Sequence, residues 1–141
     1  MNHNCYFIDT GAYYGSLDLR DQHHDHALRI WRHLEDSNIK LITSNHVLDE
    51  LATLLARKIN YDFASLKMNE IYTDSEIHIE RSSYDDEVRA LDYFKKYADQ
   101  KISFTDCISF AIMERLKIKK VFSFDWHFQY LGFELTPAKI S

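Results

Sequence analysis

The chain has 141 residues, of which 45% are apolar and 28% charged, and its formal net charge is −5. That balance excludes a disordered segment and allows a core of ordinary size. No run approaches 18 consecutive apolar residues, which excludes a helical membrane span, and the acidic excess argues against non-specific nucleic-acid binding.

The first predicted element is a buried strand over "CYFID", Cys5–Asp9, which runs straight into Asp9, Thr10 and Gly11. The opening "MNHNCYFID" has neither a basic n-region nor a small-residue cleavage site, so a cytoplasmic protein is expected. Cys5 and Cys107 are too few for a disulfide framework and sit in apolar runs, as buried thiols in a reducing compartment do. In "DQHHDHALRIW" the histidines His23, His24 and His26 crowd before a helix predicted over His26–Leu34. They read as a solvated entry turn and are left outside the site.

"KLIT", Lys40–Thr43, is a second strand, and Ser44 can cap the helix after it. There Val47, Leu48, Leu51, Leu54 and Leu55 form an apolar stripe. Phe63, Leu66 and Ile71 mark a third helix, and "IHIE", Ile77–Glu80, alternates as a strand. Val88, Leu91, Tyr93 and Phe94 mark a fourth helix, and Ile108–Leu116 a fifth that is apolar nearly all round. "KVFSFD", Lys120–Asp125, is another buried strand, and "FELT" beside Phe133 an edge strand. Three Gly and one Pro are too few for an all-β domain. Strands alternating with helices, with no repeat and no linker, make residues 1–141 one α/β domain around a mostly parallel sheet.

Four acids stand where acids are costly. Asp9 and Asp125 each end a strand, where open parallel sheets gather their ligands. Taken singly, each would read as a helix cap or a turn residue. Asp106 lies in the first turn of the most apolar helix. Ser103 and Asp106 have the spacing of a capping box, but an ionised carboxylate among Phe104, Cys107 and Ile108 needs a partner or a metal. On the helix after Ser44, Glu50 lies about 100° and Asp49 about 160° from the stripe centre at Leu51. Asp49 therefore faces water and Glu50 the shoulder of the buried face. Four such acids repel one another unless a cation offsets them, and oxygen ligands favour Mg²⁺ or Mn²⁺. Such ions lower the pKa of bound water and stabilise phosphodiester displacement.

An aspartic protease reading rests on Asp9-Thr10-Gly11, faintly echoed by "YLG" at Tyr130–Gly132. That fold is nearly all β and Gly-rich, which this chain is not, and it leaves three acids unexplained. The ordered blocks "FIDTGAYYG", "ITSNHVLDEL", "ISFTDCISFAIM" and "VFSFDWHF" resemble the PIN-domain ribonucleases, and among them the VapC-type toxins of toxin–antitoxin pairs. The resemblance implies a three-layer α/β/α fold and Mg²⁺-dependent cleavage of RNA. It places the family's acidic quartet on Asp9, Glu50, Asp106 and Asp125, with Thr10 and Ser123 in support. A cognate antitoxin that blocks the site, and a homodimer, are also implied. His127 and Phe128 fit the family pattern, while Trp126 stands where a basic residue is common. Two alternatives remain: a PIN nuclease of RNA processing without an antitoxin, and a non-catalytic α/β module. Basic candidates for RNA contact are Arg57, Lys58 and the "RLKIKK" cluster with Arg115, Lys117, Lys119 and Lys120.

Overall fold

A computed structural model describes residues 4–137. Five strands, β1 (Cys5–Ile8), β2 (Lys40–Ser44), β3 (Ile77–Glu80), β4 (Lys120–Phe122) and β5 (Glu134–Thr136), form one sheet in the order β3-β2-β1-β4-β5. Every neighbouring pair is parallel. The helices are α1 (Thr10–Leu17), α2 (His24–Asp36), α3 (Asn45–Lys58), α4 (Tyr61–Thr73), α5 (Tyr84–Lys96), α6 (Phe104–Leu116) and α7 (His127–Tyr130). Consecutive residues Leu41 to Ser44 of β2, and Val121 and Phe122 of β4, are all buried. Successive strand side chains point to opposite faces, so helices cover both faces and the fold has three layers. No helix among the described residues is long and apolar enough to cross a membrane.

Two helices escape the sequence reading. α1 begins directly after Asp9, and its only strong signal is the buried set Ala12, Tyr13 and Tyr14. α7 has four residues, too few to establish a period. The histidines do not form a solvated turn. His24 opens α2 as a buried residue with Nδ1 2.8 Å from the Gly15 carbonyl oxygen. His23 stacks on Phe124 with ring centroids 4.1 Å apart. On α5 the expected apolar stripe is exposed at Val88, Leu91 and Phe94, and Asp86 and Ala90 are buried instead.

Arg115 leaves the list of RNA contacts for a physical reason. Its Nε and one terminal nitrogen grip both oxygens of buried Asp86, at 2.9 and 2.8 Å, and that nitrogen also reaches Glu80 at 2.9 Å. Burial alone would raise the Asp86 carboxyl, but the Arg115 bonds hold it below the usual range. Arg115→Ala would strand that carboxylate inside the protein. With Arg115 partly in water, the expected loss is about 2 kcal/mol. A urea midpoint no lower than wild type would show that solvent already cancels the pair.

Candidate active site

The chain starts in the sheet centre at β1, builds outward to β3, then returns to lay β4 on the other side of β1. The crevice outside the carboxyl ends of β1 and β4 is therefore the switch point of the topology, where ligands bind in such folds. Asp9 follows β1 immediately and Asp125 lies three residues beyond β4. Glu50 comes from the second turn of α3 and Asp106 from the first turn of α6. All four line one open cleft of ≈ 570 Å³, together with Thr10, Lys101, Trp126 and His127. Asp49 is exposed and Glu50 half-buried, as the helical angles require. A smaller apolar hollow of ≈ 240 Å³ lies beside Trp31 and Ile71, away from these acids.

Asp9 occupies the cap position of α1 but makes no side-chain cap bond. Its Oδ2 instead accepts a 2.7 Å bond from Ser123 Oγ, and that hydroxyl accepts from the Asp125 backbone N–H at 2.9 Å. Ser123 thus fixes the first and last acids against each other. The other oxygen, Asp9 Oδ1, is buried without a partner, as is Thr10 Oγ1.

The two Ser-x-x-Asp helix starts make the role of Asp106 visible. At α5, Ser83 and Asp86 close a full capping box. At α6, Ser103 Oγ accepts from the Asp106 backbone N–H at 3.1 Å, but no reciprocal bond forms. The Asp106 carboxyl turns into the cleft and is hydrogen-bonded to Asp125.

Burial is the largest influence on Asp9, Asp106 and Asp125. It pushes Asp9 up to about 7, against the Ser123 bond and with help from the Asp125 and Glu50 charges. Burial, the Asp9 charge and the contact with Asp125 push Asp106 up to about 10, so Asp106 and Asp125 hold a proton as a pair. Burial acts upward on Asp125 too, but the Asp106 bond and the His127 N–H outweigh it and hold Asp125 below the usual range. His127 Nδ1 stands 2.7 Å from Asp125 Oδ1, within ion-pair range though misaligned for a hydrogen bond.

A buried, unpartnered carboxylate oxygen beside three further acids is a mismatch that a cation removes. The donors are all hard oxygens, the set that suits Mg²⁺ or Mn²⁺. Among the described residues no three His, Cys, Asp or Glu side chains already close around a common point. The acids ring an open cleft instead, which suits an ion that keeps several waters.

The sequence profile of the PIN domain matches residues 6–134. The chain belongs to the PIN-domain family. A VapC ribonuclease of Archaeoglobus fulgidus is 37% identical over 130 residues, covering 86% of this PIN domain chain and 77% of that protein. The 23S rRNA-specific endonuclease VapC20 of Mycobacterium tuberculosis is 30% identical over 132 residues, covering 93% and 98%. The crystal structure of M. tuberculosis VapC20, described as a Sarcin-Ricin loop cleaving toxin, superposes with a TM-score of 0.83 at 29% identity, over 91% of this chain and 95% of that one. A toxin–antitoxin complex from Klebsiella pneumoniae matches with a TM-score of 0.67 at 16% identity, over 96% and 99%, a likeness of fold alone.

The sequence reading missed Lys101 as part of this PIN domain cleft. Among the described residues that line the cleft it is the one Lys or Arg. Its signal is positional, a lysine two residues before the cap of the helix that carries Asp106. Its φ of 55° also places it in the left-handed region. Lys117 has a similar φ simply as the residue ending α6, so that conformation alone marks no site.

Proposed function

We propose that this PIN domain is an endoribonuclease that hydrolyses RNA phosphodiester bonds, and that it is the toxin of a type II toxin–antitoxin pair. The observation that carries the reading is the meeting of Asp9, Glu50, Asp106 and Asp125 on one cleft, with the buried Asp9 Oδ1 left without a partner. The names of the relatives, ribonuclease and 23S rRNA-specific endonuclease, support RNA as the substrate class.

Asp9, Glu50, Asp106 and Asp125 are the residues that would hold a divalent cation, Mg²⁺ or Mn²⁺. Such an ion supplies an activated water and neutralises charge on the phosphate. Ser123 keeps Asp9 and Asp125 in register through its two hydrogen bonds. Thr10 lies beside Asp9 with its own hydroxyl buried and unpartnered. Lys101 brings a cation to the same cleft, where it can neutralise a phosphate oxygen that the acids would repel. The His127 backbone N–H donates to Asp125 Oδ1 at 3.0 Å and holds it in place.

The antitoxin reading draws on the same cleft, since a guanidinium fork pairs bidentately with carboxylates. An antitoxin arginine among the quartet would block it, with an apolar segment packed along α3 and α4. We read residues 1–141 as one domain acting in the cytoplasm as a homodimer, an assembly supported by exposed Val88 and Leu91 on α5.

The test is cleavage of purified ribosomal RNA by the purified chain. Activity should vanish with EDTA and return when Mg²⁺ or Mn²⁺ is added in excess. Co-purifying the product of the neighbouring open reading frame should silence it. Cleavage that persists at full rate in EDTA would remove the quartet as a metal site.

A further inference from the structure

A second cleft, of ≈ 650 Å³, opens between α5, the end of α6 and the segment before β5. Its walls carry Arg89, Lys96, Lys117 and Lys119, with Tyr97 and Phe133 between them. Among the described residues lining it Glu114 is the one acid, and it is already engaged, by Arg89 at 3.3 Å and by the Tyr93 hydroxyl. With Arg89 paired to Glu114, Lys96, Lys117 and Lys119 remain as three lysines with no carboxylate partner among the described cleft residues, which stands out in a chain whose net charge is −5. Two of them, Lys117 and Lys119, come from the basic cluster that the acidic site leaves unused. Its other members are otherwise engaged: Arg115 grips Asp86, and Lys120 lies over the Tyr6 ring at 5.7 Å.

This cleft is joined to the acidic one by aromatic rings. Trp126 lines the acidic cleft and is 38% exposed. Its ring lies 5.7 Å from that of Tyr130, which is 51% exposed, and Tyr130 lies 6.0 Å from Tyr97 in the basic cleft. Lys96 sits over the Tyr97 ring at 5.3 Å. Tyr97 is half-buried with Tyr93 stacked on it at 6.2 Å, so Trp126 and Tyr130 offer the open ring surface. Lysines beside exposed rings suit single-stranded RNA, since lysines track phosphates while unstacked bases lie on rings. A protein partner of matching charge would need acidic groups and would leave the aromatic bridge unexplained.

We infer that the basic cleft is an RNA exosite, holding a single-stranded segment that flanks the scissile phosphate and reaches the acidic cleft across Trp126, Tyr130 and Tyr97. The inference rests on the endoribonuclease reading for its substrate class. It also explains how an acidic protein retains a polyanion: attraction is concentrated on one surface next to the cleft that repels it.

The experiment compares a long RNA carrying the cleavage site with a short oligonucleotide that reaches only the acidic cleft. Lys96→Glu with Lys119→Glu should raise KM for the long RNA about tenfold or more, with the loss confined to KM. The milder Lys96→Ser with Lys119→Ser should act in the same direction. The slope of log affinity against log salt should fall by about 1.4 for two lost contacts. Tyr130→Ala should weaken the long RNA and Tyr130→Phe should restore it, since only the ring face is used.

Binding is read in the Asp9→Asn background, which needs no cleavage, so the exosite and the catalytic reading fail separately. Exosite-dependent binding with no cleavage by the wild-type chain would sink the nuclease and leave the exosite standing. Equal affinity of both charge variants and wild type for the long RNA would overturn the exosite. So would loss of an acidic protein partner, or of self-association, with RNA binding untouched.

Discussion

Asp9→Asn is expected to abolish RNA cleavage while the fold survives. The loss should be about a thousandfold or more, the scale on which one preorganised electrostatic contact in a dry site acts. The amide keeps the shape of the carboxylate and can still accept from Ser123 Oγ, so the bond that ties Asp9 to the β4 side need not break. What disappears is a negative charge held in a buried position. Its removal relieves the largest unfavourable influence on Asp9, its desolvation, and also the repulsion from Asp125 and Glu50. The metal-free variant should therefore melt above the metal-free wild type at pH 8, although it is inactive. A variant that unfolds would point to a structural role for Asp9. One that is folded and fully active with Mg²⁺ present would remove Asp9 from the site.

That opposition between stability and chemistry explains how much of the site was legible in the sequence. Asp106 could be found because burial and charge conflict within a few residues: its neighbours Cys107 and Ile108 are apolar, and no local partner is offered. Glu50 could be found because a helix has a fixed angular period, and one position separates it from the exposed Asp49. The partnership between Ser123 and Asp9 spans 114 residues and belongs to the topology, since β1 and β4 become neighbours only once the sheet forms. Lys101 and the aromatic bridge lay beyond reach for a similar reason. Nothing in the sequence links Tyr97, Trp126 and Tyr130, which line up only when α7 turns back beside the end of α5.

The fold was legible where periodicity is long and failed where it is short. β1, β2, β4 and the Asp106–Met113 stretch of α6 each hold consecutive buried residues, and such runs announce themselves. α1 hides because its buried face is built from Ala12, Tyr13 and Tyr14 in succession, which reads as a continuation of the strand. The α5 stripe misleads in the opposite way. Arg115 draws Asp86 inward, and that turns the face with Asp86, Ala90 and Tyr93 toward α6 while Val88 and Leu91 face outward.

Stability of the metal-free protein is expected to fall as pH rises from 5 to 8, and a divalent cation should reverse the trend. Asp9, pushed up to about 7, and Asp106, pushed up to about 10, both sit above the carboxyl value of an unfolded chain, near 4. A raised carboxyl contributes its stability in full below the unfolded value and loses it as pH climbs through the folded one. Between pH 4 and 7 the native state holds protons that the unfolded chain has released. The slope of unfolding free energy is then negative, about 1.4 kcal/mol per pH unit for each proton held. Asp125, held below the usual range, has the opposite sign, but its contribution is lost only below about pH 4 and leaves this window alone. A cation replaces the protons as the positive charge among the acids. Its stabilisation, about 2.7 kcal/mol at a hundred times its Kd, should therefore grow with pH as proton competition fades. Thermal melts at pH 5, 6, 7 and 8, with EDTA or with 10-fold stepped Mg²⁺, read both effects. A metal-free melting temperature that stays level or rises across this range would mean that the folded chain does not hold these protons above pH 5. A Mg²⁺ shift of equal size in the wild type and in an Asp9→Asn, Asp106→Asn double variant would place the ion elsewhere on the protein.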